Sequence, residues 1–166
     1  MFDTFRSSSK LINTFTGHTR AVHSIDYSTF NDCQFICSGS GDNTVRVWDV
    51  DNSKQIQSFN VYPNYVRCVK FSSYHYHNNR QHVVCSSSDD TIILFWDFKH
   101  NKQLKIFNGH IDGVCGIEFS KFNGEQFVYG MLKHQNHYMF SMDMKVLFGV
   151  LIFHHYKTIT KMIIIK

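Results

Sequence analysis

One segment of this chain occurs three times, and this repetition constrains the fold more than any other feature of the sequence. The copies read "FTGHTRAVHSIDYS" (15–28), "FNVYPNYVRCVKFS" (59–72) and "FNGHIDGVCGIEFS" (107–120), and they begin 44 and 48 positions apart. A period of this size is typical of chains that stack one supersecondary unit against the next. The sequence therefore predicts an array of similar units.

A second shared block gives each unit its internal structure. "CSGSGDNTVRVWD" (37–49) aligns without gaps on "CSSSDDTIILFWD" (85–97). Each unit contains about four short apolar runs separated by residues that favour turns. Four antiparallel strands every 40-odd residues are the signature of β-propeller blades, so the predicted fold class is all-β. In the first unit the strands are predicted near 22–27, 34–38, 44–49 and 55–59.

The stretch from Gly17-His18 to "SGSGDNTVRVWD" (38–49) resembles the WD-repeat (β-transducin-like) family, whose units run from Gly-His to Trp-Asp. The resemblance covers roughly residues 10–129. It implies four-stranded β-propeller blades, about three of them in an incomplete ring, and a non-catalytic role as a scaffold for protein–protein interactions. The predicted division is an N-terminal lead-in (1–9), a strand of a preceding blade (10–15), blades at 22–59 and 66–107, a partial repeat (109–129) and a divergent tail rich in Lys, Ile, Phe and Met (130–166).

Serine, histidine and aspartate occur together in the first unit, which raises hydrolysis as an alternative. A hydrolase needs an exposed nucleophile beside its base, together with an oxyanion hole. Ser38 instead stands in an apolar strand run, and the same residue types recur in the next unit, so the sequence favours a structural role and predicts that the chain is not an enzyme. In the resembling family the tryptophan bonds the serine, the serine bonds the histidine and the histidine bonds the aspartate. The resemblance thus implies a structural tetrad of His18, Ser38, Asp42 and Trp48.

The other two copies keep only part of this tetrad. In the second copy Tyr62 stands where histidine is expected, so a partial network is predicted from Tyr62, Ser86, Asp90 and Trp96. The third copy differs in the opposite way, because it keeps the histidine, in Gly109-His110, and lacks the other three residues. The serine, aspartate and tryptophan positions of that copy are held by Gly130, His134 and Phe140.

In the resembling family, partners bind the face that carries the loops before the first strand and after the second strand of each blade. By position, the resemblance implies the candidates Arg20, His23, Gly41, Tyr65, Arg67, Asp89, Asp112 and Cys115. Two alternatives stay open: a regulatory or substrate-recognition propeller detached from a larger signalling protein or ubiquitin-ligase complex, and a non-functional truncated gene product. Trp96-Asp97-Phe98-Lys99 only approaches the Trp-Asp-x-Arg motif of ubiquitin-ligase propellers, because lysine lacks the fork of arginine.

Charge and composition set the expectations for partners and compartment. Residues 1–129 hold 12 Lys and Arg against 12 Asp and Glu, so the net charge of +4 belongs to the tail. The expected partners are accordingly other proteins, with further blades in cis or in trans, and neither nucleic acid nor a membrane. No metal or cofactor is expected, and "HYH" (75–77) with His82 is interpreted as a solvated polar loop. The expected location is intracellular, in the cytoplasm first and the nucleus as the alternative.

The repeat pattern stops near residue 130. A frame slip, a retained intron or a truncated gene model would produce such a change, and a genuine divergent end is the alternative. About three blades do not close a ring, since propellers have about 4–8. The terminal blades are therefore predicted to expose apolar faces.

Overall fold

The computed structural model describes residues 13–60, 62–108, 110–122, 125–134 and 137–145. The predicted lead-in (1–9), Gly109 and residues 146–166 of the predicted tail lie outside this range. Within it the elements are β1 (Val22–Phe30), β2 (Cys33–Ser40), β3 (Val45–Asp49), β4 (Lys54–Phe59), β5 (Val66–Phe71), α1 (Ser73–Asn79), β6 (Val83–Ser88), β7 (Ile93–Asp97), β8 (Lys102–Phe107), β9 (Val114–Phe122), β10 (Glu125–His134) and β11 (His137–Lys145).

These strands form three antiparallel sheets in chain order. The first sheet runs β1-β2-β3-β4, the second β5-β6-β7-β8, and the third contains β9, β10 and β11 with β10 in the centre. The first two sheets share one register, since Ile36 pairs with Trp48 and Val84 with Trp96. The all-β prediction of antiparallel blades is confirmed, and the described sheets do not close into a ring.

The first strand is longer than its apolar pattern predicted. The first strand was predicted near 22–27, but β1 continues to Phe30, which is 2% exposed and belongs to the core. Only Asn31 and Asp32 make the turn, and both have positive φ, 49° and 62°. These are residue types that tolerate the left-handed region.

Strand pairing also continues beyond residue 129, where the repeat region was expected to end. Val128 and Leu132 of β10 are buried, and β11 pairs with β10 as far as Lys145. At the other end, the described part of the predicted strand 10–15 is not in a strand. Phe15 instead packs beside Trp48, with ring centroids 5.6 Å apart.

The core lies between neighbouring sheets. β5 packs on β1 and β2, and β9 packs on β5 and β6, so the first strand of each later blade covers the blade before it. Val69 and Ile117 at one repeat position are 1% and 3% exposed for this reason. Ile25 holds the same position in the first blade and is 69% exposed, with Tyr27 beside it at 54%. Among the described residues, the first blade thus exposes the apolar side chains of Ile25 and Tyr27.

The connection between β5 and β6 is not the solvated polar loop that its composition indicated. It contains α1, and His75 and His82 are 8% and 6% exposed. The Ser72 hydroxyl lies 2.7 Å from Nδ1 of His75. The ring of His82 lies among Phe30 and Phe98, with centroids 5.2 and 5.7 Å away. The ring of His82 thus packs between the first two blades, and the ring of His75 packs beside Phe95 of the second blade, with centroids 5.6 Å apart, so this histidine-rich stretch is not solvated.

Candidate functional site

The four candidate tetrad residues of the first blade lie in one hydrogen-bonded chain. The Trp48 indole Nε1–H donates to Ser38 Oγ at 2.9 Å, and Ser38 Oγ lies 2.8 Å from His18 Nε2. His18 Nδ1 lies 2.9 Å from Asp42 Oδ2. With the proton on Nδ1, Ser38 donates to His18 and His18 donates to Asp42, so every member has a partner. The chain joins β2, β3, the β2–β3 turn and the segment before β1.

Asp42 anchors this chain in the turn. It also accepts hydrogen bonds from the Thr19 backbone N–H at 3.0 Å, and from the Thr44 N–H at 3.1 Å and hydroxyl at 2.6 Å. Burial raises the pKa of Asp42, but the hydrogen bonds from Thr44, Thr19 and His18 outweigh it and hold this pKa well below the ordinary carboxyl range. The carboxylate is therefore ionised at neutral pH.

The geometry does not place Ser38 as an exposed nucleophile. Ser38 is 4% exposed, and its hydroxyl is already shared between Trp48 and His18. A nucleophile has to reach a substrate carbonyl, which a buried hydroxyl in this position does not do.

The contribution of Thr44 to this turn could not be predicted from the repeats. The aligned residue of the second copy is Ile92, so the two copies do not share a polar residue at this position.

The second blade arranges the corresponding residues differently. The Tyr62 hydroxyl donates to the Ser86 carbonyl at 2.8 Å and lies 2.9 Å from Ser86 Oγ. Asp90 Oδ1 accepts from the Ile92 N–H at 3.3 Å. Trp96 Nε1 and Asp90 Oδ2 are buried and have no hydrogen-bond partner among the described residues. The structure thus joins Tyr62 to Ser86, and it does not join Asp90 or Trp96 to them.

In the third blade a glycine makes room for the histidine. His110 is buried, and a Cβ placed on Gly130 would lie 2.9 Å from two atoms of its ring. That distance is too short for a real Cβ, so the ring occupies the space that a serine at position 130 would need. His134 and Phe140 are in β10 and β11, where their backbones pair with His137 and Met131.

The candidates for the partner face form a contiguous group at one end of the first two blades. The Arg20 guanidinium donates to the Tyr65 hydroxyl at 3.3 Å, and the His23 ring centroid is 6.1 Å from that of Tyr65. Arg67 lies over the same ring and binds Asp89 through two hydrogen bonds, of 2.8 and 2.5 Å. Five residues separated by up to 69 positions in sequence therefore share one surface.

The three remaining candidates for this face, Gly41, Asp112 and Cys115, lie against other parts of the chain. Gly41 is buried under His23, and a Cβ on it would lie 3.1 Å from the His23 ring. Cys115 donates its thiol to the Met131 carbonyl at 3.1 Å, so it points into the third sheet. Asp112 accepts from the Gly113 N–H at 2.8 Å, and Gly113 lies against Asp89. The candidates that share one surface are thus those of the first two blades.

A small polar recess adjoins this face. It has a volume of about 210 Å³ and is lined by Thr19, Arg20, Gly41, Asp42 and Asn43. Its carboxylate is the one that accepts from His18, Thr19 and Thr44, so the recess belongs to the tetrad turn. Within the described part of the chain, no three His, Cys, Asp or Glu side chains lie together in a way that could hold a metal ion.

Comparison with known proteins identifies the family. The model of the WD domain, G-beta repeat, matches residues 9–49 and 53–97, which together make just over half of the chain. The chain belongs to the WD-repeat family. Proteins of this family are typically non-catalytic.

Two relatives are called U3 small nucleolar RNA-associated protein 15 homolog. The chain is 40% identical over 62 residues to the one from Xenopus tropicalis and 37% identical over 62 residues to the one from Xenopus laevis. A third relative is the kinesin-like protein klp-12 of Caenorhabditis elegans, 34% identical over 59 residues. These matches cover 36–37% of this chain, but only 12% of the two Xenopus proteins and 3% of the Caenorhabditis protein.

These relatives correct one expectation. The prediction that nucleic acid is not a partner is wrong, since two relatives are named for their association with a small nucleolar RNA. A balanced net charge describes a whole segment, and it does not decide which assemblies that segment joins. Among the described residues, no helix is long and apolar enough to cross a membrane.

Proposed function

We propose that this chain is a protein-interaction scaffold, and that it binds partner proteins on the face formed by Arg20, His23, Tyr65, Arg67 and Asp89. One observation carries the proposal: side chains from two blades meet on this face and are exposed or half-exposed while they contact one another. Aromatic and arginine side chains are enriched where proteins bind each other.

The turns behind this face support the proposal because they are fixed. The Gly41 N–H donates to the Ala21 carbonyl at 2.9 Å, and the Ser40 hydroxyl donates to the same carbonyl at 3.0 Å. On the second blade the Asp89 N–H donates to the Tyr65 carbonyl at 3.1 Å. A surface held in this way loses little conformational entropy when a partner binds.

The relatives suggest the setting in which the scaffold acts. Two of them are U3 small nucleolar RNA-associated proteins, so we place this chain in an assembly that contains RNA and, with it, in the nucleus. In this proposal the chain contacts the protein components of the assembly.

Site-specific photo-cross-linking tests the proposal. A photoreactive amino acid replaces Asn64, an exposed residue beside Tyr65, in the full chain expressed in its own cells. The matched control carries it at Asn79, an exposed residue of α1, which antiparallel topology places at the opposite end of the second blade. We expect protein adducts at position 64 that survive ribonuclease treatment, and far fewer at position 79. Equal yields at both positions, or adducts at position 64 that consist of RNA alone, would contradict it.

A further inference from the structure

Two arginines share one aromatic ring on the proposed binding face. The Cζ atom of Arg20 lies 5.9 Å from the centroid of the Tyr65 ring, and the Cζ atom of Arg67 lies 5.4 Å from it. Arg20 comes from the segment before β1, and Arg67 is in β5, so the ring joins two blades. Both guanidinium groups are within the range in which a ring face attracts a cation.

The two arginines differ in their charge partners. Arg67 is paired with Asp89, and this hydrogen-bonded carboxylate raises the pKa of Arg67 above its ordinary value. Arg20 has no carboxylate within 4.0 Å among the described residues. The face therefore carries one guanidinium whose charge is not compensated nearby, and this group is exposed.

Arg20 is also held in position before any ligand arrives. Its carbonyl oxygen lies 3.2 Å from the Ser40 hydroxyl, whose one proton is shared with the Ala21 carbonyl, and its guanidinium donates to the Tyr65 hydroxyl at 3.3 Å. The bond to Tyr65 uses one N–H of the five that an arginine side chain carries. The other donors keep the planar fork that binds a carboxylate through two parallel hydrogen bonds.

We propose that Arg20 binds the carboxylate of an Asp or Glu side chain in an extended segment of a partner protein, with Tyr65 as the apolar contact beside it. Tyr65 is 37% exposed, which leaves part of its ring open to the neighbouring residue of such a segment. This inference rests on the proposed function, because it names the chemistry of the partner that the same face binds.

The charges around Arg20 favour a single carboxylate over a chain of phosphates. A nucleic-acid backbone is bound by several cations that track successive phosphates. Here the second arginine is already occupied by Asp89, which leaves Arg20 as the arginine of this face that can bind an anion. One carboxylate matches one uncompensated guanidinium, so we choose the acidic peptide as the occupant and make RNA an outcome of the test.

Selection from a phage-displayed library of random short peptides on the full chain tests this choice. Arg20→Gln removes the charge, and Arg20→Lys keeps the charge without the fork. The matched control is Arg80→Gln, because Arg80 lies over Tyr76 with its Cζ atom 5.5 Å from the ring centroid, beside α1 at the other end of the blade. Thermal melting of each variant verifies its fold.

We expect wild type and Arg80→Gln to select peptides with Asp or Glu at one fixed position. The Kd of a selected peptide should rise about 10- to 100-fold in Arg20→Gln, the loss expected for one charged hydrogen-bonding contact. The Kd of the same peptide for Arg20→Lys should lie between the values for wild type and Arg20→Gln. If Arg20→Gln does not fold, the comparison of Arg20→Lys with wild type tests the inference. The same acidic preference in Arg20→Gln, or no acidic preference in wild type, overturns the inference.

A second measurement compares the binding of labelled oligouridylate to wild type and to the Arg20 variants. If its binding depends on Arg20 while peptide binding does not, the occupant is RNA and the inference is overturned. The cross-linking experiment at position 64 separates the two proposals. Protein adducts there without acidic selection contradict only the carboxylate inference, whereas the absence of protein adducts contradicts the scaffold proposal as well.

Discussion

The first and second blades have the same sheet order and register but fix their turns by different means. In the first blade His18, Ser38, Asp42 and Trp48 form one connected chain of hydrogen bonds. In the second blade the Tyr62 hydroxyl reaches Ser86, and the buried Trp96 Nε1 has no hydrogen-bond partner among the described residues. Both blades nevertheless place a bulge before the tryptophan.

This difference shows that a blade can form its four-stranded sheet without a complete tetrad. Strand pairing and the apolar core between sheets are sufficient for the second blade, where Val83, Cys85, Ile93 and Phe95 are at most 1% exposed. The tetrad adds satisfied polar groups to this framework. Because an orphaned buried polar group costs about 1–3 kcal/mol, the two blades should respond differently to the same substitution.

The largest effect is expected at the tryptophans. Trp48→Ala should lower the free energy of unfolding by about 3–5 kcal/mol, because it removes a core side chain and one of the two hydrogen-bond partners of Ser38. Trp96→Ala should cost at least about 1 kcal/mol less, because Trp96 is less buried and its indole N–H makes no bond to Ser86. Urea unfolding followed by far-ultraviolet circular dichroism measures both values. Equal costs would show that the tetrad bond adds nothing to the packing of the ring.

The serines sharpen the comparison. Ser38→Ala should cost about 1–3 kcal/mol, because Trp48 Nε1 and His18 Nε2 both lose the hydroxyl that they share. Ser86→Ala should cost less than about 1 kcal/mol, because the Tyr62 hydroxyl keeps its bond to the Ser86 carbonyl. The same urea titrations check this pair. A larger cost for Ser86→Ala than for Ser38→Ala would reverse the proposed ranking of the two networks.

The turns offer a substitution that should stabilise the second blade. Asn43 and Thr91 occupy the same turn position with φ of 67° and 70°. A β-branched residue is strained at positive φ, whereas asparagine tolerates it. Thr91→Asn should therefore raise the free energy of unfolding by about 0.5–1 kcal/mol, and Asn43→Thr should lower it by about the same amount. Melting temperatures that move in the same direction for both variants would contradict this explanation.

The smallest effect concerns pH and belongs to the second blade. Burial is the first cause that lowers the pKa of His75 and of His82 below the ordinary histidine value. The unfolded chain binds a proton on each as the pH falls through about 6.5, while the folded chain binds it at lower pH. Stability is thus complete above about pH 6.5 and is lost as the pH falls from there through the folded pKa values.

Melting temperatures at about pH 7.5 and about pH 5.5 measure this loss. His82→Phe keeps a ring between Phe30 and Phe98, so it should reduce the drop in melting temperature. His77→Phe is the matched control, since His77 is exposed on α1 and should leave the drop unchanged. An identical drop in both variants would remove His82 from the explanation.

Much of the fold could be predicted, because strands and turns depend on the residue types within a few positions of each other. Alternating apolar residues and turn-forming residues recur with each unit, so the order of the strands followed from the repeats. The β5–β6 connection could not be predicted in the same way. Its histidines look polar in sequence, and only the tertiary packing of His75 beside Phe95 and of His82 between Phe30 and Phe98 makes them part of the core.

The sequence by itself therefore determined the antiparallel blades, their approximate bounds and the residue types available at each turn, since these depend on neighbours a few positions away. Only the tertiary structure decided which side chains meet. The contact of Arg20 with Tyr65 and of Arg67 with Asp89 joins residues 45 and 22 positions apart. Such distances depend on how one sheet packs on the next, and a local pattern does not contain that information.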